Sequence, residues 1–339
     1  MDKVSTIGLD VAKNVFQVHG VNEVGKVVVA RKLRRGQMLA WFANLAPCLI
    51  GIEACGTAHY WARALQKLGH TVRLIPPAYA KAYVRRNKND AADAAAICEA
   101  VSRPSMRFVA IKSEAQQGLA GLHRVRDLLM KQRTMLRNQL RSLMAEFGVV
   151  AAPGRRGMNE LIAVLCDDAD ERIPAALRET LLACADVLRD LERKIEGIER
   201  QMVAAGRESE TYRHLITAEG YGPILSSAMV AMVVDPHIFR RACDFAAALG
   251  LVPRQDGTGG KVTLGPISKR GNGYLRRLLV NGAASLIISG RAKRDPWLAK
   301  LLATKPRKVA AVALANKLAR IGWALMVRQQ DYRSMPAAA

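Results

Sequence analysis

No uninterrupted run of about 18 apolar residues occurs in the sequence, and a helix that crosses a bilayer needs roughly that length. We therefore expect no membrane-spanning helix. The first residues, Met-Asp-Lys-Val-Ser-Thr, place charge before any apolar segment, so no secretory signal peptide is predicted. Half of the 339 residues are hydrophobic, which predicts a globular chain of two or three domains.

Cysteine is sparse and is never arranged as a Cys-x-x-Cys pair. The six cysteines are scattered along the chain: Cys48, Cys55, Cys98, Cys166, Cys184 and Cys243. This usage is typical of a reduced protein and predicts a cytoplasmic location.

Acidic residues are few relative to basic ones. The 29 Asp and Glu stand against 52 Lys and Arg, a net charge of +23. The excess is local: residues 102–145 carry nine basic and two acidic side chains, and residues 251–310 carry thirteen and two. Residues 146–215 are slightly acidic, with ten basic and fourteen acidic side chains. A polyanionic partner is expected, and nucleic acid is the commonest one.

The first hundred residues predict a mixed α/β sheet. Short apolar runs separated by turn residues indicate an antiparallel meander of three strands, then two buried strands, at Val4–Leu9, Val15–His19, Lys26–Lys32, Cys48–Ile52 and Thr71–Ile75. Helical spacing indicates helices at Met38–Leu45, Thr57–Leu68 and from Asp90 to about Ser102. This order predicts helices on the faces of the sheet.

Four acids are expected at one edge of that sheet. Asp10 and Glu53 each follow a buried strand, and open α/β sheets place their chemistry at the carboxyl ends of strands. Asp90 and Asp93 share one face of the following helix. Taken alone, that pair also fits a helix cap followed by a solvated acid. Four carboxylates in one cleft need divalent cations, and all-oxygen ligands suit Mg²⁺, or Mn²⁺, in phosphoryl transfer.

These motifs resemble the ribonuclease H-like, RuvC-like fold, and in particular the DEDD transposases of bacterial insertion sequences, described as bridge-RNA-guided recombinases. The matching segments are Ile7-Gly8-Leu9-Asp10-Val11-Ala12-Lys13, Glu53-Ala54-Cys55-Gly56 and Asn89-Asp90-Ala91-Ala92-Asp93-Ala94. The resemblance implies that Asp10, Glu53, Asp90 and Asp93 are the catalytic, metal-binding acids.

The middle of the chain predicts a helical arm. Leucines at helical spacing from Ser113 to Phe147, and an apolar stripe from about Pro174 to Gly206, indicate two long helices in an antiparallel coiled coil, as a spacer or dimer arm. On the first helix, Arg124, Arg133 and Arg137 are candidates for tracking a nucleic-acid backbone. A solvated basic face explains them equally well.

The C-terminal third is predicted to be mainly helical around a Gly-rich loop, Asp256-Gly257-Thr258-Gly259-Gly260-Lys261. It is not a P-loop, because Gln255 stands where the first Gly should be. A loop with one hydroxyl, flanked by Arg254 and Lys261, could present a nucleophile to a phosphodiester. A simple hairpin turn with an incidental Thr258 is the alternative.

The segments around this loop resemble the C-terminal transposase domain of the same family, in which a loop serine attacks DNA. Here Gly257-Thr258 replaces the usual Ser-Ser or Ser-Thr, so the resemblance carries that role to Thr258, with Ser268 as a fallback and Tyr274 as a weaker candidate. The candidate phosphate contacts are Arg254, Lys261, Ser268, Lys269, Arg270, Arg276 and Arg277.

We therefore expect an α/β plus α protein: a RuvC-like DEDD domain (1–110), a coiled-coil arm (111–211), a C-terminal transposase domain with a segment similar to helix-hairpin-helix modules (212–330) and a flexible tail (331–339). The expected function is Mg²⁺-dependent DNA strand cleavage and rejoining. The family resemblance also implies a non-coding guide RNA, donor and target DNA, and a homodimer or dimer of dimers. The alternatives are a RuvC-like nuclease or junction resolvase, and an inactive nucleic-acid-binding relative.

Overall fold

The computed structural model describes residues 3–83, 90–290 and 295–333. Contacts between Cα atoms divide the chain into two compact units, residues 1–113 and 114–339. The predicted three-part division and the flexible tail remain predictions; most of that tail lies outside the described residues.

The first unit is built on a five-stranded sheet in the order β3-β2-β1-β4-β5. Its strands are β1 (Thr6–Val11), β2 (Val15–Val21), β3 (Val27–Arg34), β4 (Leu49–Glu53) and β5 (Thr71–Ile75). β1 to β3 form an antiparallel meander, whereas β4 runs parallel to both β1 and β5. The predicted mixed sheet is confirmed.

Helices cover both faces of this sheet. They are α1 (Met38–Ala43), α2 (Ala58–Lys67), the single turn α3 (Pro77–Ala80) and α4 (Asp90–Val101). Ile7 and Leu9 point into the core shared with α1 and α2, where Phe16 packs edge-on against Trp61. Side chains alternate along a strand, so Gly8 faces the opposite side, where α4 lies against β1.

The second unit begins with the helical arm. α5 (Glu114–Ala145) and α7 (Ala175–Arg207) are its long helices. They run antiparallel, because Arg126 pairs with Glu199 while Arg137, further along α5, pairs with the earlier Glu192. The sequence interpretation missed α6 (Arg155–Leu165), which packs on α7 through Met158, Leu161 and Leu165 among other residues.

The remaining elements comprise helices around a second core and one β-hairpin. They are α8 (Glu210–Ile216), α9 (Pro223–Met232), α10 (Ala242–Ala248), β6 (Pro253–Thr258), β7 (Lys261–Ile267), α11 (Gly273–Ile288), α12 (Pro296–Thr304) and α13 (Arg307–Arg328). The sequence of the Gly-rich segment fits either a flexible loop or a hairpin turn, and the structure shows an antiparallel hairpin. Only Gly259 and Gly260, both with positive φ, form its turn, a conformation that glycine adopts without strain.

α13 has the length and hydropathy of a membrane-spanning helix, although half of its most apolar stretch is buried within the protein. Leu314, Leu318 and Leu325 pack in the core of the second unit.

Candidate active site

Two neighbouring parallel strands place Asp10 and Glu53 at the same edge of the sheet. Leu9 on β1 pairs in register with Ile52 on β4, and the two acids are the next residues along these strands. Both side chains are half-buried, between the apolar sheet and solvent. The strand ends therefore meet as their sequences predict.

Helix α4 brings two further acids to Asp10. One carboxylate oxygen each from Asp10, Asp90 and Asp93 lies within 4.8 Å of the other two. Asp10 and Asp93 are half-buried and Asp90 is exposed. Asp90 and Asp93 occupy the first turn of α4, where the helix dipole favours negative charge.

Glu53 does not join that group of three among the described residues, although it was predicted to share the site. Its charge nevertheless raises the pKa of Asp10, so it lies close enough for electrostatic interaction. Glu53 therefore borders the cluster formed by Asp10, Asp90 and Asp93.

Asp10 is the electrostatic centre of the site. Burial, followed by the charges of Asp93, Asp90 and Glu53, raises the pKa of Asp10 from 3.8 to about 6. A group with a strongly shifted pKa, held among like charges in a half-buried position, is typical of a functional site. A cation placed among these carboxylates would remove the repulsion that causes the shift.

Two glycines that the sequence interpretation did not single out allow α4 to approach the sheet. A β-carbon on Gly51 would lie 2.7 Å from Cβ of Val101 on α4, and one on Gly8 would lie even closer to the backbone of this helix. The signal was present, since both glycines sit in the middle of buried strands as Ile7-Gly8-Leu9 and Ile50-Gly51-Ile52. Glycine inside a strand often marks a close approach of another backbone.

Comparisons with known proteins identify the family. Residues 7–148 match the model of the DEDD transposases, and residues 212–300 match that of the IS116/IS110/IS902 family of transposases. The chain belongs to this family. The DEDD match spans the segment that carries Asp10, Glu53, Asp90 and Asp93.

Curated members of the family align over almost the whole chain. A probable family 20 transposase of Pseudomonas aeruginosa is 49% identical over 334 residues, covering 97% of this chain and 99% of that protein. A putative transposase of Sinorhizobium fredii is 42% identical, covering 98% and 87%. The transposase for insertion sequence element IS1111A of Coxiella burnetii is 39% identical, covering 98% and 92%.

Membership in a family of DEDD transposases agrees with dependence on a divalent metal, and the oxygen ligands of the site fit such an ion. Three carboxylates that lie this close and face solvent in part are suited to a hard cation such as Mg²⁺ or Mn²⁺, and they include no sulfur or nitrogen ligand that would favour zinc.

In the second unit, the β6–β7 hairpin carries the proposed nucleophile region. Arg254 and Lys261 are exposed on its two strands. The backbone of Thr258 pairs with Lys261 at the end of the hairpin, next to the Gly259-Gly260 turn. The side chain of Thr258 lies outside the described part of the structure, so its role stays a prediction.

The basic segment after the hairpin contains one structural arginine and several exposed cations. Arg276 donates hydrogen bonds to the carbonyl oxygens of Leu249 and Arg270, both at 2.8 Å, and so holds two turns together. Lys269, Arg270 and Arg277 are exposed, and the Ser268 side chain is half-buried. Lys269 adopts a positive φ of 54°, uncommon for a residue with a side chain.

The three arginines predicted on α5 have different surroundings. Arg124 is exposed. Arg137 forms an ion pair with Glu192. Burial, followed by the charge of Arg137, lowers the pKa of the half-buried Arg133. Of these three arginines, the exposed Arg124 is therefore the most accessible to a nucleic-acid backbone.

Proposed function

We propose that this transposase cleaves and rejoins DNA strands at the ends of an insertion sequence by phosphoryl transfer. The observation that supports the proposal most directly is that Asp10 meets Asp90 and Asp93, which lie far from it in sequence, with one carboxylate oxygen of each within 4.8 Å of the others. The basic surface of the chain suits a DNA partner.

Asp10, Asp90 and Asp93 would hold Mg²⁺ or Mn²⁺, with Glu53 beside them. When bound, the metal would neutralise charge at the scissile phosphate. The acids would hold that cation in a fixed position, and the half-buried position of Asp10 strengthens electrostatic interactions compared with bulk water.

Thr258 is the proposed nucleophile. Its hydroxyl oxygen forms a new bond to phosphorus while the bond to one deoxyribose oxygen breaks; the threonine releases its proton, and the departing oxygen takes one up. The phosphate then links Thr258 to the DNA through a phosphodiester bond of similar energy, so rejoining requires no high-energy cofactor. Arg254 and Lys261, exposed on the same hairpin, would stabilise the developing negative charge.

The remaining parts of the proposal rest on the family resemblance. They are a non-coding guide RNA that selects donor and target DNA, and a homodimer or dimer of dimers in which the two kinds of site are combined. Action in the cytoplasm is proposed from the scattered cysteines. The net charge of +23 supports binding of both nucleic acids.

Two other functions give different outcomes in one experiment. In a metal-dependent nuclease, water attacks and Thr258 is structural; in an inactive relative, nucleic acid is bound but not cut. The protein is incubated with DNA carrying the element's ends, the adjacent element RNA and Mg²⁺, and a covalent protein–DNA adduct is sought by denaturing electrophoresis and mass spectrometry.

We expect an adduct at Thr258 that Thr258→Ala and Asp10→Asn both abolish. Strand cleavage that survives Thr258→Ala but not Asp10→Asn would identify a nuclease instead. Binding without cleavage in the unaltered protein would identify the inactive relative.

A further inference from the structure

One carboxylate in the second unit bridges two cations that come from different helices. Asp127 on α5 forms an ion pair with Arg277 on α11 through Oδ1. It forms a second ion pair, through Oδ2 at 3.2 Å, with Lys131 on α5. The side chain of Asp127 is 24% exposed, whereas those of Arg277 and Lys131 are 48% and 65% exposed. Both cations can therefore be reached from solvent while the carboxylate lies deeper.

Arg277 is held in place by more than this ion pair. Its guanidinium lies 5.2 Å from the centre of the Tyr274 ring, one helical turn earlier on α11, in a cation–π contact. An arginine that is already oriented loses less conformational entropy when it binds a phosphate.

Tyr274 is fixed in turn by a buried chain of hydrogen bonds. Ser227 donates its hydroxyl proton to the Met202 carbonyl at 3.3 Å, so its oxygen accepts from Nε2–H of His123 at 3.1 Å. Nδ1 of His123 is then an acceptor, and the Tyr274 hydroxyl donates to it at 3.0 Å. Burial, and next the charge of Arg126, lower the pKa of His123 to about 4, which keeps the ring neutral.

This arrangement also gives Tyr274 a role other than that of a nucleophile. Its hydroxyl proton points inward to His123, and burial raises the pKa of Tyr274 above its ordinary value. The phenolate needed for attack is disfavoured, so the residue serves as a platform for Arg277.

A carboxylate that bridges two cations occupies the position that a phosphate group would take between them. We propose that Lys131 and Arg277 form a clamp for a nucleic-acid phosphate, and that Asp127 neutralises the clamp until a phosphate displaces it. The proposal deepens the proposed function, because the phosphate belongs to the DNA or RNA bound by the transposase.

A phosphate can displace Asp127 at a low cost in free energy. Ion pairs between partly exposed side chains contribute little to stability, so breaking them costs little. A nucleic-acid phosphate brings neighbouring contacts and releases condensed counterions as well, and each neutralised phosphate of a duplex contributes about −0.9 to the slope of log K against log salt. Asp127 would then reduce non-specific binding more than binding to a correctly placed backbone.

The test compares Asp127→Asn with a matched variant of the same charge change. Asp186→Asn is the control, since Asp186 pairs with Arg189 on α7, outside the clamp. Binding of a labelled DNA duplex of mixed sequence and of a labelled RNA hairpin is measured by anisotropy across a salt series, without Mg²⁺. We expect Asp127→Asn to tighten binding about 3- to 10-fold and to steepen the salt slope by about one unit, and Asp186→Asn to change binding less than about 2-fold.

A second set of variants tests the cations themselves. Arg277→Met and Lys131→Met should each reduce the salt slope by about one unit, and should remove the effect of Asp127→Asn when combined with it. The nucleic acid for which Asp127→Asn has the larger effect identifies the source of the phosphate. Thermal unfolding of each variant shows that the protein stays folded.

Equal effects of Asp127→Asn and Asp186→Asn, or unchanged binding by Arg277→Met and Lys131→Met, would overturn the clamp. A protein that shows the clamp behaviour but forms no DNA adduct would overturn the proposed catalysis and leave the clamp supported. The two proposals can therefore fail separately.

Discussion

A β-carbon added to Gly8 on β1 would lie 2.0 Å from the carbonyl oxygen of Ala94 on α4. No side chain can be accommodated there without moving the helix, because the neighbouring atom is backbone. Ala94 directly follows Asp93, so this contact sets how close Asp93 comes to Asp10.

Gly8→Ala should therefore separate α4 from the sheet and weaken the metal site. We expect a loss of stability of about 1–3 kcal/mol from overpacking, and a loss of most of the thermal stabilisation by Mg²⁺. Differential scanning calorimetry with and without Mg²⁺ measures both. Gly36→Ala is the control, since a β-carbon at Gly36 meets nothing within 4 Å. A normal Mg²⁺ response of Gly8→Ala would contradict this role.

Asp93→Asn should separate metal binding from folding. Removing one of the like charges beside Asp10 should leave the metal-free protein as stable as before, or more stable by up to about 1 kcal/mol, because the repulsion decreases. The variant should lose Mg²⁺ stabilisation and strand cleavage. Calorimetry and a cleavage assay check the two effects, with Glu23→Gln, an exposed acid in a turn, as the control. Retained cleavage would exclude Asp93 from the site.

The stability of the metal-free protein should depend on pH through Asp10. The pKa of Asp10 is about 6 in the folded chain, against an ordinary value of 3.8, so the folded state binds more protons between these values. The corresponding stabilisation is present below the ordinary value and is lost as pH rises through about 6. Mg²⁺ should stabilise the protein increasingly over the same interval. Melting temperatures across this range, with and without Mg²⁺, measure the effect, and Asp10→Asn should remove it.

Thr258→Ser should accelerate adduct formation. The methyl group of threonine restricts its rotamers. Attack from an unfavourable rotamer costs about 0.5–1.5 kcal/mol, and removing that cost would raise the rate roughly 2- to 13-fold. Single-turnover assays compare Thr258→Ser with Thr263→Ser, a change on the partner strand of the same hairpin. A slower Thr258→Ser would argue that the methyl group takes part in positioning.

His123→Leu should destabilise the second unit. The change leaves the hydroxyls of Ser227 and Tyr274 without their shared partner in a largely buried position, which costs about 2–4 kcal/mol. Chemical denaturation measures the loss. His237→Leu, a change at an exposed histidine, should alter stability by less than about 0.5 kcal/mol. Equal stability of the two variants would show that the hydrogen-bond chain contributes little.

Local sequence patterns were sufficient to predict much of the secondary structure of the first unit. Buried strands ending in Asp10 and Glu53 follow from apolar runs and the parallel arrangement, and the start of α4 follows from acids placed before a small-residue helix. The arm helices were predicted within one or two residues, because long amphipathic stripes have an unambiguous period. α6 was missed because it is short and follows the Pro153-Gly154 break.

Other features depend on contacts between distant residues. The Gly-rich segment could be a flexible loop or a hairpin turn by its sequence, and the pairing of β6 with β7 across the Gly259-Gly260 turn decides for the hairpin. The position of Glu53 outside the group formed by the three aspartates is another such feature, because local residue types do not specify distances between side chains on different elements.

The chain's composition and local periodicity were enough to indicate a basic chain with acids at the carboxyl ends of two strands, because charge excess and strand-terminal acids are properties of short segments. The position of Glu53 outside the close group of Asp10, Asp90 and Asp93, and the pairing of Asp127 with Arg277, 150 residues away, were decided by the tertiary structure alone. Both depend on backbone distances of a few ångströms between packed elements, and such distances are set by the whole core.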